Sequence, residues 1–238
     1  MSSATLRRTD VGDMDEGMPP SRTRGSIGAM ILPTPAMRTA EDLVEALPAL
    51  DAAPRDAGSL TLIVRRPGVD QREVLDAGEL DLTVGLVGDN WQHRPSSRMP
   101  DRSPHPDMQL NVINTRIASY LAFGDVDRQA LAGDQLHVDL DLSTANLPVG
   151  TLLVFGEAPD SDPDAGPDSR PTIVVTEQPH TGCAKFIDRF GEAAMRFVNG
   201  PLGRPRRLRG LNAKVVVPGR IQTGDLVTVV RPDPSAAG

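Results

Sequence analysis

The stretch TIVVTEQPHTGCAKFIDRFGEAAMRFVNG, residues 172–200, holds a strand, a tight turn and a helix in direct succession. TIVVTE (172–177) is rich in β-branched residues and reads as a strand. Pro179 and Gly182 then permit a sharp turn. Beyond it Phe186, Phe190, Ala194 and Phe197 share one helical face, with Ile187 and Val198 at the edge of the stripe. The spacing predicts one helix over 185–198, stopped by Asn199-Gly200-Pro201. Cys183, the chain's only cysteine, falls where that helix begins. Helix starts favour anions through unpaired N–H groups and the dipole, so thiolate chemistry is expected: a nucleophile, a sulfur carrier or a soft-metal ligand. A single cysteine excludes an internal disulfide.

Working outward, the same strand pattern recurs. TLIVRR (61–66), ELDLTV (79–84), QLNVIN (109–114), QLHVDL (135–140), TLLVF (151–155), AKVVV (213–217) and DLVTVV (225–230) are short apolar or alternating runs separated by turn residues. Such spacing predicts a closed or nearly closed β-barrel with the 185–198 helix packed on it. Only 3% of residues are aromatic, so the core must be aliphatic. TAEDLVEAL (39–47) predicts a short helix capped by Thr39, with Asp42 in the capping-box position and Leu43, Val44 and Leu47 on one side. Pro48 and Pro54 are expected to end it.

The domain reading is a disordered N-terminal tail at 1–37, a short helix and linker at 38–57, the barrel at 58–231 and a tail at 232–238. The acidic, proline-rich segment 158–171 reads as a solvated hairpin loop. A net charge of -7 argues against electrostatic binding to nucleic acid. No apolar run is long enough to span a bilayer, and no apolar run follows Arg7 and Arg8 to form an export signal. A cytoplasmic location is expected, with no membrane partner.

Further motifs bear on chemistry. PHTGCAKFIDRFG (179–191) and LRGLNAKVVVPGRIQTGDLVTVV (208–230), with GLVGDNW (85–91), QLNVIN and LAGDQLHVDLDLSTANLP (131–148) upstream, together resemble the MOSC domain, named for the C-terminus of molybdenum-cofactor sulfurase. The resemblance covers about residues 58–231. It implies a mostly β fold with some α (α+β): a MOSC-type, pyruvate-kinase-like barrel with a few peripheral helices. It also implies molybdenum-cofactor or sulfur-transfer chemistry, with Cys183 as the metal ligand. Pyridoxal phosphate enters only through the separate domain that accompanies MOSC in the sulfurases. The chain departs from many relatives in having glycine rather than proline before the cysteine, and it is expected to lack their companion domains.

His180, three residues before Cys183, is a candidate general acid or base because histidine titrates near neutrality; closing the turn is its bland alternative. Lys185 lies beside the cysteine. Asp89 and Asn90 in the glycine turn, and Asn111 in an otherwise apolar strand, are expected to contact a cofactor. So are Asp139, Arg209 and Asn212. Asn111 shares a face with Ile113 while Asn114 falls opposite, and at least one of the two asparagines is expected to make a specific hydrogen bond. Trp91 has the shape to cover a flat ring, although packing explains it as well. Residues 92–107, with His93, Arg94, Arg98, Arg102 and His105, read as a long loop of the kind that forms lids. A zinc site from His93, His105, His180 and Cys183 matches no zinc spacing. Among Arg204, Arg206, Arg207 and Arg209, Arg209 is the favoured anion contact.

The leading expectation is a stand-alone molybdenum-cofactor enzyme that reduces N-oxygenated small molecules or transfers sulfur. The alternatives are a metal-free enzyme with Cys183 as nucleophile or persulfide carrier, and a non-catalytic carrier. Expected partners are an anionic cofactor or small-molecule substrate, and an electron- or sulfur-donor protein. A homo-oligomer is compatible with the sequence.

Overall fold

A computed structural model describes residues 36–157 and 169–233. Eleven strands form two sheets: β1 (Ala57–Arg65), β2 (Glu73–Leu75), β3 (Ala77–Asp81), β4 (Gly85–Leu86), β5 (Leu110–Asn114), β6 (Leu136–Asp139), β7 (Leu152–Phe155), β8 (Thr172–Val175), β9 (Leu211–Val217), β10 (Gly219–Gln222) and β11 (Leu226–Val230). The larger sheet runs β11-β7-β8-β9-β5-β6-β1-β2, and β11 also pairs with β1. Seven strands therefore close a barrel, which leaves no open edge along the ring. β2 extends from β1, and β10-β3-β4 form a separate small sheet.

All pairings are antiparallel except β5 with β6. A parallel pair needs a crossover, supplied here by α3 (Thr115–Leu121) and α4 (Val126–Ala130). Each of the eight expected strand segments forms a strand. Leu60, Leu110, Val112, Leu136, Ile173 and Val227 fill the barrel with Phe155, so the core is aliphatic as composition required.

A second cluster lies outside the barrel wall. Ile113 of β5 meets Ile117, Leu121, Phe186, Phe190, Ala194 and Val198. β5 is consequently buried along its whole length. Asn114 caps α3, accepting from the Arg116 and Ile117 N–H groups at 2.7 and 3.3 Å, and donates to Leu140 O at 2.7 Å.

Three local expectations are corrected. The helix over 185–198 is two helices, α5 (Ala184–Phe190) and α6 (Glu192–Asn199), broken at Gly191 with φ 90° and ψ 163°. That conformation is open almost only to glycine, and the turn there packs against Met37. Ile187, at the edge of the stripe, is 37% exposed. In the N-terminal helix α1 (Ala40–Glu45) the Thr39–Asp42 capping box is present, and Leu43 is buried, but Val44 is 51% exposed. Pro48 does not end a helix; it stands in the first turn of α2 (Leu47–Asp51), where its missing N–H costs nothing.

Most of the expected 1–37 tail lies outside the described residues. Its last two positions are anchored: Ala36 O accepts from Arg128, and Met37 sulfur lies 3.4 Å from the same guanidinium. Residues 158–168 of the expected hairpin loop, and 234–238 of the C-terminal tail, also lie outside.

Candidate functional site: a cationic cavity beside Cys183

A cavity of about 710 Å³ opens between the barrel wall and the helical layer. Cys183, His180, Lys185, Asn90 and Asn111 line it, as does Arg209, so six of the sequence-selected residues converge there. The loop after Trp91 adds His93, Arg94, Ser96 and His105. Arg98 ties that loop across to Gln178 Oε1 at 3.0 Å.

Cys183 is the N-cap of α5 and is exposed, and its side chain makes no capping hydrogen bond. It therefore precedes the first turn rather than sitting in it, and the helix behind it has only seven residues. The turn is braced from α6: Gly182 N–H donates to Asn199 Oδ1 at 3.1 Å. A side chain at 182 would require the Met195 sulfur to move.

His180 lies against Asp134, its Nδ1 3.3 Å from Oδ1. The two are out of line for a hydrogen bond, so Nδ1 is a buried polar atom without a partner. Burial lowers the His180 pKa well below the usual range, and the positive charges of Arg209, Arg66, Arg94 and Arg98 push it further. The ring is accordingly neutral at pH 7. No hydrogen bond joins it to Cys183 among the described residues.

Arg209 donates to both carboxylate oxygens of Asp134 at 3.0 and 2.7 Å and to Ala132 O at 3.0 Å, and its guanidinium lies 4.9 Å from the centre of the Phe186 ring. Burial raises the Asp134 pKa while Arg209 opposes the shift. Gly210 makes this meeting feasible. It adopts φ 101°, and a Cβ there would lie 2.4 Å from Val112 O and 3.2 Å from both Asp134 Oδ1 and His180 Nδ1.

Three expected contact residues serve other roles. Asp89 has no exposed side-chain surface. It accepts from Arg66 Nε and Nη2, both at 2.8 Å, and from the Trp91 N–H at 3.0 Å, so it fixes Arg66 rather than facing a ligand. Asn212 is wholly buried; its Oδ1 accepts from Asn111 at 2.6 Å and its Nδ2 donates to Gln178 O. Asp139 points away from the cavity, in a two-pronged pair with Arg116 at 2.6 and 3.2 Å, because the end of β6 runs beside α3. Arg206 likewise pairs with Asp51, and Arg207 holds the Leu147 carbonyl. Among the described residues no three His, Cys, Asp or Glu side chains gather closely enough to hold a metal ion, which removes the four-residue zinc arrangement.

Arg66, Arg72, Arg189 and Asp134 were absent from the sequence reading. With Arg94, Lys185 and Arg209, the cavity has six cationic side chains. Asp70 is the one carboxylate among its lining residues, and Lys185 and Arg189 share it at 2.7 and 3.1 Å. Among the described residues four buried polar atoms on the lining lack a hydrogen-bond partner: Arg72 Nε, Asn90 Oδ1, His180 Nδ1 and Arg209 Nε. Such atoms cost free energy unless something pairs with them. In a protein of net charge -7, this concentration of cations suits an anion that also offers hydrogen-bond donors and acceptors.

The fold has distant likenesses among solved structures. The YuaD protein from Bacillus subtilis superposes with a TM-score of 0.47 at 14% identity, over 74% of this chain and 97% of that one. YiiM from Escherichia coli gives 0.44 at 19% identity, over 74% and 71%. YiiM from Geobacillus stearothermophilus gives 0.41 at 11%, over 77% of each. No protein-family model matches the chain, and no curated protein matches it. Among the described residues no helix is long and apolar enough to cross a membrane.

Proposed function

We propose that this chain is a MOSC-type protein whose cavity binds an anionic molybdenum–pterin cofactor, with Cys183 as the protein's ligand to the metal. The observation that carries the reading is the convergence of the sole cysteine with six cationic side chains in one cavity. The donor set fits the group. A thiolate is a strong sulfur donor to a metal, guanidiniums suit a phosphate, and Asn90 Oδ1 is a buried acceptor without a hydrogen-bond partner among the described residues, able to take a ring N–H. When bound, the cofactor would supply two-electron redox chemistry, suited to reducing N-oxygenated small molecules; sulfur transfer is the related use of the same sulfur.

The chain's own residues do the rest. Cys183 offers its sulfur from an uncapped turn. Arg209, anchored by Asp134, and Arg66, anchored by Asp89, hold positive charge at fixed points. Neutral His180 adds a polar ring to the cavity wall without adding charge.

Metal and pterin analysis of protein from a molybdenum-replete, cofactor-competent host tests the reading. Molybdenum and pterin are expected near one per chain, with the metal content falling in Cys183→Ala. Absence of both from the wild type overturns it. The exposed, uncapped Cys183 favours a second reading, in which the thiol is a nucleophile or persulfide carrier. Mass spectrometry that finds a persulfide or substrate adduct on Cys183 supports that reading.

A further inference from the structure

Three successive carbonyls organise the cationic wall. Leu131 O accepts from Arg189 Nη1 at 2.7 Å, Ala132 O from Arg209 Nη2 at 3.0 Å, and Gly133 O from Arg66 Nη1 at 2.9 Å. The turn between α4 and β6 thus fixes three guanidiniums side by side. Gly133 takes φ 85°, and the position a Cβ would occupy lies 3.5 Å from Arg72 Nη2 and 3.9 Å from Arg189 Nη1. Arg72 and Arg189 therefore approach one point beside this turn.

Arg72 differs from the three arginines held by this turn, and Arg94 shares its lack of a carboxylate partner among the described residues. Arg66, Arg189 and Arg209 each pair with a carboxylate. Arg72 pairs with none among the described residues: Nη1 donates to Gln71 O, and Nε is buried without a partner. Its burial and the charges of Arg189, Arg66 and Arg94 lower its pKa against the opposing charge of Asp70, so the cations around it prevail. Six cationic side chains face three carboxylates here, Asp70, Asp89 and Asp134, so a dianion balances the site better than a monoanion.

We propose that Arg72 and Arg189, with Lys185 at the rim, form a phosphate-monoester subsite that holds the anionic end of the ligand lying against Cys183. A tetrahedral dianion presents several oxygens to the two planar guanidinium forks, the geometry in which arginine binds phosphate best. The inference deepens the reading of the cavity as an anion site but does not require molybdenum. A phosphate on the pterin cofactor and a phosphate on a substrate share this chemistry.

Calorimetric titration of the full chain, free of cofactor, with inorganic phosphate and with phenyl phosphate tests the proposal, in buffers matched in ionic strength with chloride. Saturable binding is expected, weakened about tenfold or more in Arg72→Gln, the scale of one charge-assisted hydrogen bond. Arg206→Gln, which removes a charge paired with Asp51 outside the cavity, should bind as wild type. No saturable binding, or equal losses in the two variants, overturns the subsite. Titrating cofactor-loaded protein separates the sources: lost binding means that the cofactor's phosphate occupies the subsite, and unchanged binding means that it serves a substrate. Phosphate binding in a protein that acquires no molybdenum would sink the cofactor reading and leave the subsite standing.

Discussion

Asp134 and Arg209 form an ion pair inside the protein, Oδ2 to Nη1 2.7 Å, with the carboxylate fully buried and the arginine 6% exposed. A buried charge stripped of its partner is strongly destabilising. In this cavity an unpaired Arg209 would also face Arg66 with less negative charge nearby. Asp134→Asn should lose about 3–5 kcal/mol of stability in urea unfolding. Combining it with Arg209→Met should restore part of that loss, because the orphaned charge is then gone. Additive losses would mean that the pair does not act as a unit.

The sequence marks Asn111 or Asn114 as a specific hydrogen-bonding residue without choosing between them, and the role of Asn114 as the α3 cap gives the loss a size. Two capped N–H groups and the bond to Leu140 O all depend on its side chain. Asn114→Ala should cost about 2 kcal/mol. Asn114→Asp keeps the cap acceptor but sets a buried carboxylate oxygen against Leu140 O, so it should also be destabilised, as unfolding midpoints would show.

The barrel was readable because each strand is a local apolar run, and a run of β-branched residues needs no distant information. The cavity was half readable. Cys183, His180 and Arg209 announce themselves by residue type and by turn context. Asp134 and Asp139 look alike in sequence, both acids at either end of one strand. One is buried because Arg209, 75 residues away, meets it, and the other stays partly solvated beside Arg116. For the same reason nothing in the sequence singles out Arg66 or Arg72: Arg66 is buried by Asp89, Asn111 and Gly133, which lie 23 to 67 residues away. The Gly191 break was hidden because the apolar stripe continues across it.

Gly191→Ala tests that break. The φ of 90° with ψ 163° is a region where a Cβ is strained, at a cost of about 1–3 kcal/mol. The variant should lose stability by that amount in urea unfolding. Unchanged stability would mean that a continuous helix is accessible at no cost.

Acid should weaken the fold through its histidines. Burial lowers the His137 pKa to about 3, whereas the unfolded chain protonates near 6.5. The folded state therefore keeps its full advantage above about pH 6.5 and loses it as pH falls toward 3. Between pH 7 and 5 the loss from His137 is about 2 kcal/mol, and His180 shifts in the same direction. Asp134, raised by burial, acts with the opposite sign, so the histidine contribution is read as a difference. Urea unfolding of wild type and His137→Gln at both pH values should give a shallower dependence in the variant.

The charge around Cys183 should be visible in its reactivity. The thiol is exposed, and the cavity beside it collects cations with few carboxylates. A dianionic disulfide reagent should therefore be drawn to it, while a neutral maleimide is not. The ratio of the two labelling rates should fall as salt rises from 10 mM to 500 mM, because screening acts only on the charged reagent. It should also fall several-fold in Arg72→Gln and Arg94→Gln, while Arg206→Gln leaves it unchanged. Taking the ratio removes any change in the thiol itself, which both reagents feel alike. A ratio insensitive to salt and to Arg72 would mean that the cationic wall does not act on a ligand approaching the sulfur.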